Sequence, residues 1–494
     1  AGRRLDDGGR SIFMSLALEQ VRDQLKVFRK NSESTELVGL LLQISAEMKM
    51  CGILPEKLEK ASHGIVQSTL RQKTEEIALI LSAYDALVAQ SFIDPLDDLT
   101  RLKDILSKHD FFTGYTVMVD AFQSFTVQEY EILEIILRQA DMVSVTLCTD
   151  SLDGPEGDLF AIGRNTAKAL LRLAAENGVQ VKKPVFLQGG ARFANPALAE
   201  LEKRVYRPGF APWNEACSGV MIYQAKDRYD EANFVSASIS HLVREEGYRY
   251  RDFAIIIRST EPYDGILDAA LEHWEIPYFM DRPERVDAEP LMRLLLSAFR
   301  IVIYGFRSDD MFLYLKTGLA GLTTAQISEL ENYTFVWNIS GKKWCEEWTE
   351  NPEGFSGPMD EKQAQRLKEI NESRRIVVEP LQRFAKRVGN AEGIQIAAAA
   401  YQLLCDVHAA EHLRKYAEKL EQDGDPVLAE RELRTWDLLM SILDQTALVI
   451  GKTKLSCERY AELLNLIICS SRMASIPQRL DEVLVGDANR IRAE

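Results

Sequence analysis

The sequence predicts an α/β protein made of two parallel-sheet units, each interrupted by a large all-helical segment. Three observations carry this. Residues 115–120, YTVMVD, form an apolar and β-branched run ending in an acid, which reads as a buried parallel strand with a carboxylate at its C-terminal tip. Strand and helix patterns alternate through 115–214 and again from the 218–225 stretch to 280, and such alternation builds parallel sheets. Through 11–108 and 289–472, by contrast, apolar residues recur at helical spacing.

The chain has 494 residues, enough for three or four domains at roughly 150 each. With 46% hydrophobic and 27% charged residues it has an ordinary globular composition. No apolar run approaches the ~18 residues that cross a bilayer, so no membrane association is expected. AGRRLDDGGR at the start carries no apolar signal core and no initiating Met, so the chain is expected to begin inside a longer protein and, ending on RIRAE, to be cut again there. The seven cysteines are scattered, odd in number and form no CxxC pair, which predicts free thiols in a reducing cytoplasm rather than a zinc or disulfide framework. A net charge of −16 argues mildly against nucleic acid, although whole-chain charge is a blunt test for several domains.

Taken in order, 11–30, 35–60 and 68–92 read as amphipathic helices, with Pro55 and Pro95 at helix starts, and nothing there reads as a strand. The strand 115–119 leads to a helix at 127–139. A second strand, MVSVTLCTD, ends in another acid, Asp150, and a helix at 161–177 and a short strand at Val185–Leu187 follow. Asp120 at a strand tip is the kind of group that holds the magnesium of a bound nucleotide, because open parallel sheets bind ligands beyond their strand ends. It also suits a turn-capping acid, and the same choice applies to Asp150.

A linker is expected at 208–217. Then VMIYQA reads as a strand, EANFVSASISHLVREEG as a helix closed by Gly247, FAIIIRS as a buried strand ending in Arg258, 263–273 as a helix and IPYFM as a strand. Arg258 could grip a phosphate across a cleft or sit in a surface ion pair. Helices fill 289–472. Trp337, Trp344 and Trp348 within 336–358 suit either base stacking or pinning a loop to a core. His408, Glu411 and His412 spell HxxEH, with both imidazoles expected on one face of an alanine-rich helix, but no downstream His completes a zinc site. Gly451-Lys452-Thr453 echoes a phosphate loop but lacks its first glycine, Thr446 standing there, and reads as a turn before a helix at 456–469. A strand at Val483–Val485 returns the chain to α/β character.

This layout, with Asp120 in one sheet and Arg258 in the other, resembles superfamily 1 helicases. EEGYRYRDFAIIIRS followed by ALEHWEIPYFMDR resembles the stretch around their motif IV, and YTVMVDAFQSFT their magnesium-binding motif II. LDDGGR, VDAFQSFT, ARFANPALAELEK, YLKTGLAGL, LENYTFVWNISG and VGDANRIR are similar, in order and over nearly the whole chain, to AddB. That family comprises the B subunits of bacterial AddAB ATP-dependent helicase–nucleases, counterparts of RecBCD.

The resemblance implies two RecA-like domains, both incomplete. Residues 1–10 would be a connector, 11–108 a helical insertion of the first domain and 109–215 part of that domain. Residues 216–285 would be part of the second domain, 286–478 its helical insertion and 479–494 the return into it. It further implies that Asp120 and Gln123 stand at a nucleotide–magnesium site and that Arg258 senses the γ-phosphate. Gly486, Asp487 and Arg490 would fall where motif V contacts nucleotide or DNA. ATP and Mg2+ are implied for the parent protein, with an iron–sulfur cluster in a C-terminal nuclease domain. None of these cysteines is assigned to that cluster, and nothing is expected bound to this fragment. The implied partners are the AddA subunit, in a heterodimer, and DNA, in the processing of double-strand breaks for homologous recombination.

Ala121 departs from the family pattern. It replaces the motif II glutamate that polarises the attacking water, and an alanine accepts no proton. With no phosphate loop in the chain, no catalytic residue is assigned. The expected role is DNA guiding, Chi reading and partner binding without motor activity. The alternatives are an active superfamily 1 motor whose phosphate loop lies outside this chain, and a purely structural scaffold, which the −16 charge favours.

Overall fold

The computed structural model describes residues 3–32, 34–154, 157–187, 193, 195–205, 212–214, 217, 219–280, 284–354, 358–473 and 480–488. The chain is α/β and divides into two compact units. One comprises 1–45, 55–95 and 280–480, and the other 46–54, 96–279 and 481–494.

The first unit is helical. The helical stretches 11–108 and 286–478, far apart in sequence, share it for most of their length. The helix Asp7–Val21 begins where the Asp6 carboxylate accepts from Gly9 N at 2.7 Å, an N-cap that satisfies one of the orphan donors of the first turn. Gly8 keeps that turn thin, since a Cβ there would lie 2.7 Å from Ile467 Cγ2. The helix therefore packs closely on Cys457–Ser470 and on Ser68–Ala89.

From Ser68–Ala89 the buried Glu76 reaches the loop that follows the first helix. Its two oxygens accept four backbone bonds, from Lys26, Val27 (two) and Phe28, at 2.9–3.1 Å. Nearby, Tyr84 O–H donates to the buried Asp94 Oδ2 at 2.9 Å, and Arg10 pairs with the other oxygen at 3.3 Å. Two-residue strands, Arg3–Arg4 and Phe92–Ile93, pair in parallel where no strand is expected from sequence.

In the long helical stretch the tryptophans pin loops. Trp344 and Trp348 are buried, and Trp337, Trp344 and Trp348 donate to Asn351 O, Ser308 Oγ and Lys343 O. The alanine-rich helix expected through the HxxEH stretch is two helices, Gly393–Asp406 and Ala409–Gln422. His408 caps the second at φ +52°, a left-handed break, so its imidazole does not share a helical face with that of His412.

The second unit holds two small sheets. Thr116–Val119 pairs in parallel with Met142–Val145, with Val119 opposite Val145. Ala254–Ile257, Val483–Asp487 and Tyr278–Met280 form a three-stranded sheet with Val483–Asp487 in the centre, parallel to Ala254–Ile257.

The strands 115–119 and 253–258, expected to be buried on both faces, are not. Their side chains alternate between exposed and half-buried, with Met118 77% exposed. That pattern is period two rather than continuous burial. The expected strands at Val185–Leu187 and 220–225 are extended coil without a ladder partner among the described residues. Apolar extended chain becomes strand only where a neighbour completes its hydrogen bonds. The 220–225 stretch is held by Tyr223, whose ring stacks on Phe234 at 3.6 Å. The linker 208–217 falls largely outside the described residues. Among the described residues no single helix is long and apolar enough to cross a bilayer. All seven cysteines are free thiols.

Candidate functional site at two strand tips

Asp120 is the residue after the strand Thr116–Val119, and Thr146 is the residue after Met142–Val145. The parallel register Val119–Val145 sets them side by side. Thr146 Oγ1 donates to Asp120 Oδ1, and Thr146 N donates to Val119 O at 3.0 Å. The carboxylate is exposed and has a neutral partner. One such acid suits a magnesium ion carried in on nucleotide phosphates, which asks for one or two protein carboxylates, and does not suit a dedicated metal cage. Among the described residues no group of three His, Cys, Asp or Glu is arranged to hold a metal.

The turn after Asp120 is tight. Ala121 lies at φ +64°, in the left-handed region that an L-residue adopts at a cost of about 1 kcal/mol or more. Phe122 and Phe125 then stack at 4.9 Å, and Phe125 meets Tyr130 edge-on at 5.5 Å. Gln123 is placed through its backbone, whose carbonyl accepts from Thr166 Oγ1 at 3.0 Å. The helix Val127–Gln139 opens on a capping box, Thr126 with Glu129.

Asp150 does not join this tip. It lies five residues beyond the strand and is taken up by the buried Arg164, whose Nη1 donates to Asp150 Oδ1 at 2.8 Å and whose Nη2 meets Asp158. Gly163 lets the helix Ala161–Glu176 come close, since a Cβ there would lie 2.5 Å from Cys148 O. Of the two acids near strand ends, one is therefore a fold residue and the other faces solvent.

The second tip is built by Ala254–Ile257 and Val483–Asp487. Gly486 pairs with Ile256 and Asp487 with Ile257, and Ala488 N donates to Ile257 O at 2.9 Å. Arg258 follows directly, so Arg258, Gly486 and Asp487 meet at the C-terminal edge of adjacent parallel strands. Arg258 is exposed and makes no ion pair with another described residue. Arg490 lies outside the described residues. The structure thus collects Asp120 and Gln123 at one tip and Arg258, Gly486 and Asp487 at the other.

Sequence reading missed Thr146 and Arg164. The signal for Thr146 was the strand register, since two parallel strands ending level put their following residues in contact. For Arg164 it was the pair of loop acids, Asp150 and Asp158, ahead of a helix whose first turn carries an arginine.

Residues 1–202 match the family model described as ADDB, N-terminal. Over its whole length the chain is similar to curated proteins named as the B subunit of an ATP-dependent helicase/deoxyribonuclease. That of Caldanaerobacter subterraneus subsp. tengcongensis is 31% identical over 98% of this chain and 42% of its own. That of Acetivibrio thermocellus is 29% identical over 99% and 44%, and that of Clostridium acetobutylicum 28% identical over 100% and 44%. The chain spans less than half the length of these relatives. The resemblance to AddB read from its motifs is borne out along the whole chain.

Proposed function

We infer, from a chain that is AddB-like throughout, that this is the helicase-like portion of the B subunit of an ATP-dependent helicase–deoxyribonuclease that processes broken DNA ends in the cytoplasm. Within that enzyme its role is to guide DNA, take part in reading Chi and hold a partner subunit, AddA, which drives unwinding. ATP, Mg2+ and an iron–sulfur cluster belong to the whole enzyme.

Ala121 carries the non-motor reading. It occupies the position after the strand-tip acid, where hydrolysis needs a group that can accept a proton from water, and it offers only a methyl.

The test is ATP turnover by the full-length protein, including any phosphate loop that lies outside this chain, with Mg2+ and single-stranded DNA. Turnover stays far below motor rates of ~1–10³ per second. DNA-stimulated turnover in that range, lost on Asp120→Ala, overturns the reading in favour of a motor. Fluorescence anisotropy of a labelled oligonucleotide shows binding that weakens with salt along a log–log slope. Absence of binding at low salt favours a scaffold that never touches DNA, the role to which the net charge of −16 points.

A further inference from the structure

The helical unit carries a basic and aromatic corner that the strand tips do not account for. The helix Pro290–Tyr304 ends in Gly305 at φ +74° and Phe306 at φ +61°, two successive left-handed residues. A phenylalanine held there is strained, and such strain persists where surrounding contacts over-determine the backbone. Three hydrogen bonds do so here. Gly341 N donates to Phe306 O at 2.9 Å, and Ser308 Oγ receives Trp344 Nε1 at 3.1 Å and donates to Ile339 O. The turn 305–308 is thereby strapped to the loop 339–344.

The strap brings two basic stretches together beside an exposed ring. Tyr304 is 49% exposed, with the Arg300 guanidinium 5.5 Å and the Arg307 guanidinium 6.0 Å from its ring centre. Lys342 and Lys343 follow Gly341 and are exposed. Arg300 is aimed by the buried Asp310, to which its Nε donates at 2.8 Å. Asp309 lies 3.9 Å from Arg307. Four cations against two acids leave the corner positive on a chain of net −16.

We propose that Arg300, Tyr304, Arg307 and Lys342 form a contact for single-stranded nucleic acid, the cations on successive phosphates and the tyrosine ring on an unpaired base. An exposed ring with guanidiniums near it stacks on a base only where that base is free of a duplex, and the charge suits the backbone beside it. The proposal rests on the DNA-guiding reading and names where the strand is gripped.

The experiment is anisotropy of a fluorescein-labelled oligothymidine against the whole chain at several salt concentrations, with a duplex of equal length as comparison. Arg307→Glu and Lys342→Glu each weaken binding about tenfold and lower the salt slope by about one. Tyr304→Leu weakens binding about fivefold or more and leaves the slope unchanged. Lys415→Glu, an exposed lysine on another helix of the same unit, makes the same change of charge and shifts affinity less than threefold. Circular dichroism melting confirms that each variant folds. If the parent chain binds and the corner variants behave like Lys415→Glu, this site is wrong and the DNA-guiding reading stands. Equal losses on the duplex overturn the stacking role of Tyr304. If the folded parent chain does not bind at all, both fail.

Discussion

Two buried carboxylates show how much a side chain's surroundings decide. Glu76 is surrounded by backbone N–H groups and needs no cation, because three donors making four bonds spread its charge. Glu432 lies against the buried Glu289, which pairs with Arg431, and burial followed by repulsion from Glu289 pushes the Glu432 carboxyl up to about 7. Its ordinary value is 4.5, so between about pH 4.5 and 7 the folded chain keeps a proton that the unfolded chain has lost. Stability from this group is therefore complete below that window, falls through it and stays low above pH 7. Glu432→Gln keeps the size and removes the charge. Urea unfolding at pH 8 shows it more stable than the parent by about 1–2 kcal/mol, and the two converge near pH 5.

At the scale of elements, close approach sets the tolerances. Gly163 faces a backbone carbonyl rather than a movable side chain, so Gly163→Ala forces the helix Ala161–Glu176 away from Cys148 and weakens the Arg164–Asp150 pair. A loss of about 1–3 kcal/mol is expected, read from the shift of the urea midpoint. Much of this level was legible in the sequence. The helix Val127–Gln139 carries its own capping box, and Gly247 at φ +76° ends the helix before it. Asp120 was legible as a strand-tip acid for the same local reason. What was not legible depends on partners distant in sequence. The 185–187 and 220–225 stretches have strand composition, yet a ladder needs a neighbour that composition does not name. The break at His408 hides in an alanine-rich run because only the backbone conformation of one residue marks it. Thr146 became visible only through the register of two strands 26 residues apart.

At the scale of the molecule, the helical unit draws its core from three stretches of chain, 1–45, 55–95 and 280–480, with the α/β stretches between them. Its first helix is completed by its last, for Arg459 donates to Ser15 and Glu19 across at least 440 residues. This has a consequence during synthesis. The apolar face of Asp7–Val21 leaves the ribosome long before Cys457–Ser470 exists. At roughly 5–20 residues per second that interval is ~20–90 seconds, during which the first helix has no final seat. Ribosome-bound chains stalled after about residue 300 are therefore expected to be cut by protease within their first hundred residues, whereas chains in which Cys457–Ser470 has cleared the ribosome resist it. Early protection of the stalled chains would mean that the first hundred residues hold together unaided. The last helix acts as the clasp of this unit, so a nonsense or frameshift lesion between 300 and 450 spoils the chain's beginning as well as its end, and the cell meets it as a substrate for holdases and proteases.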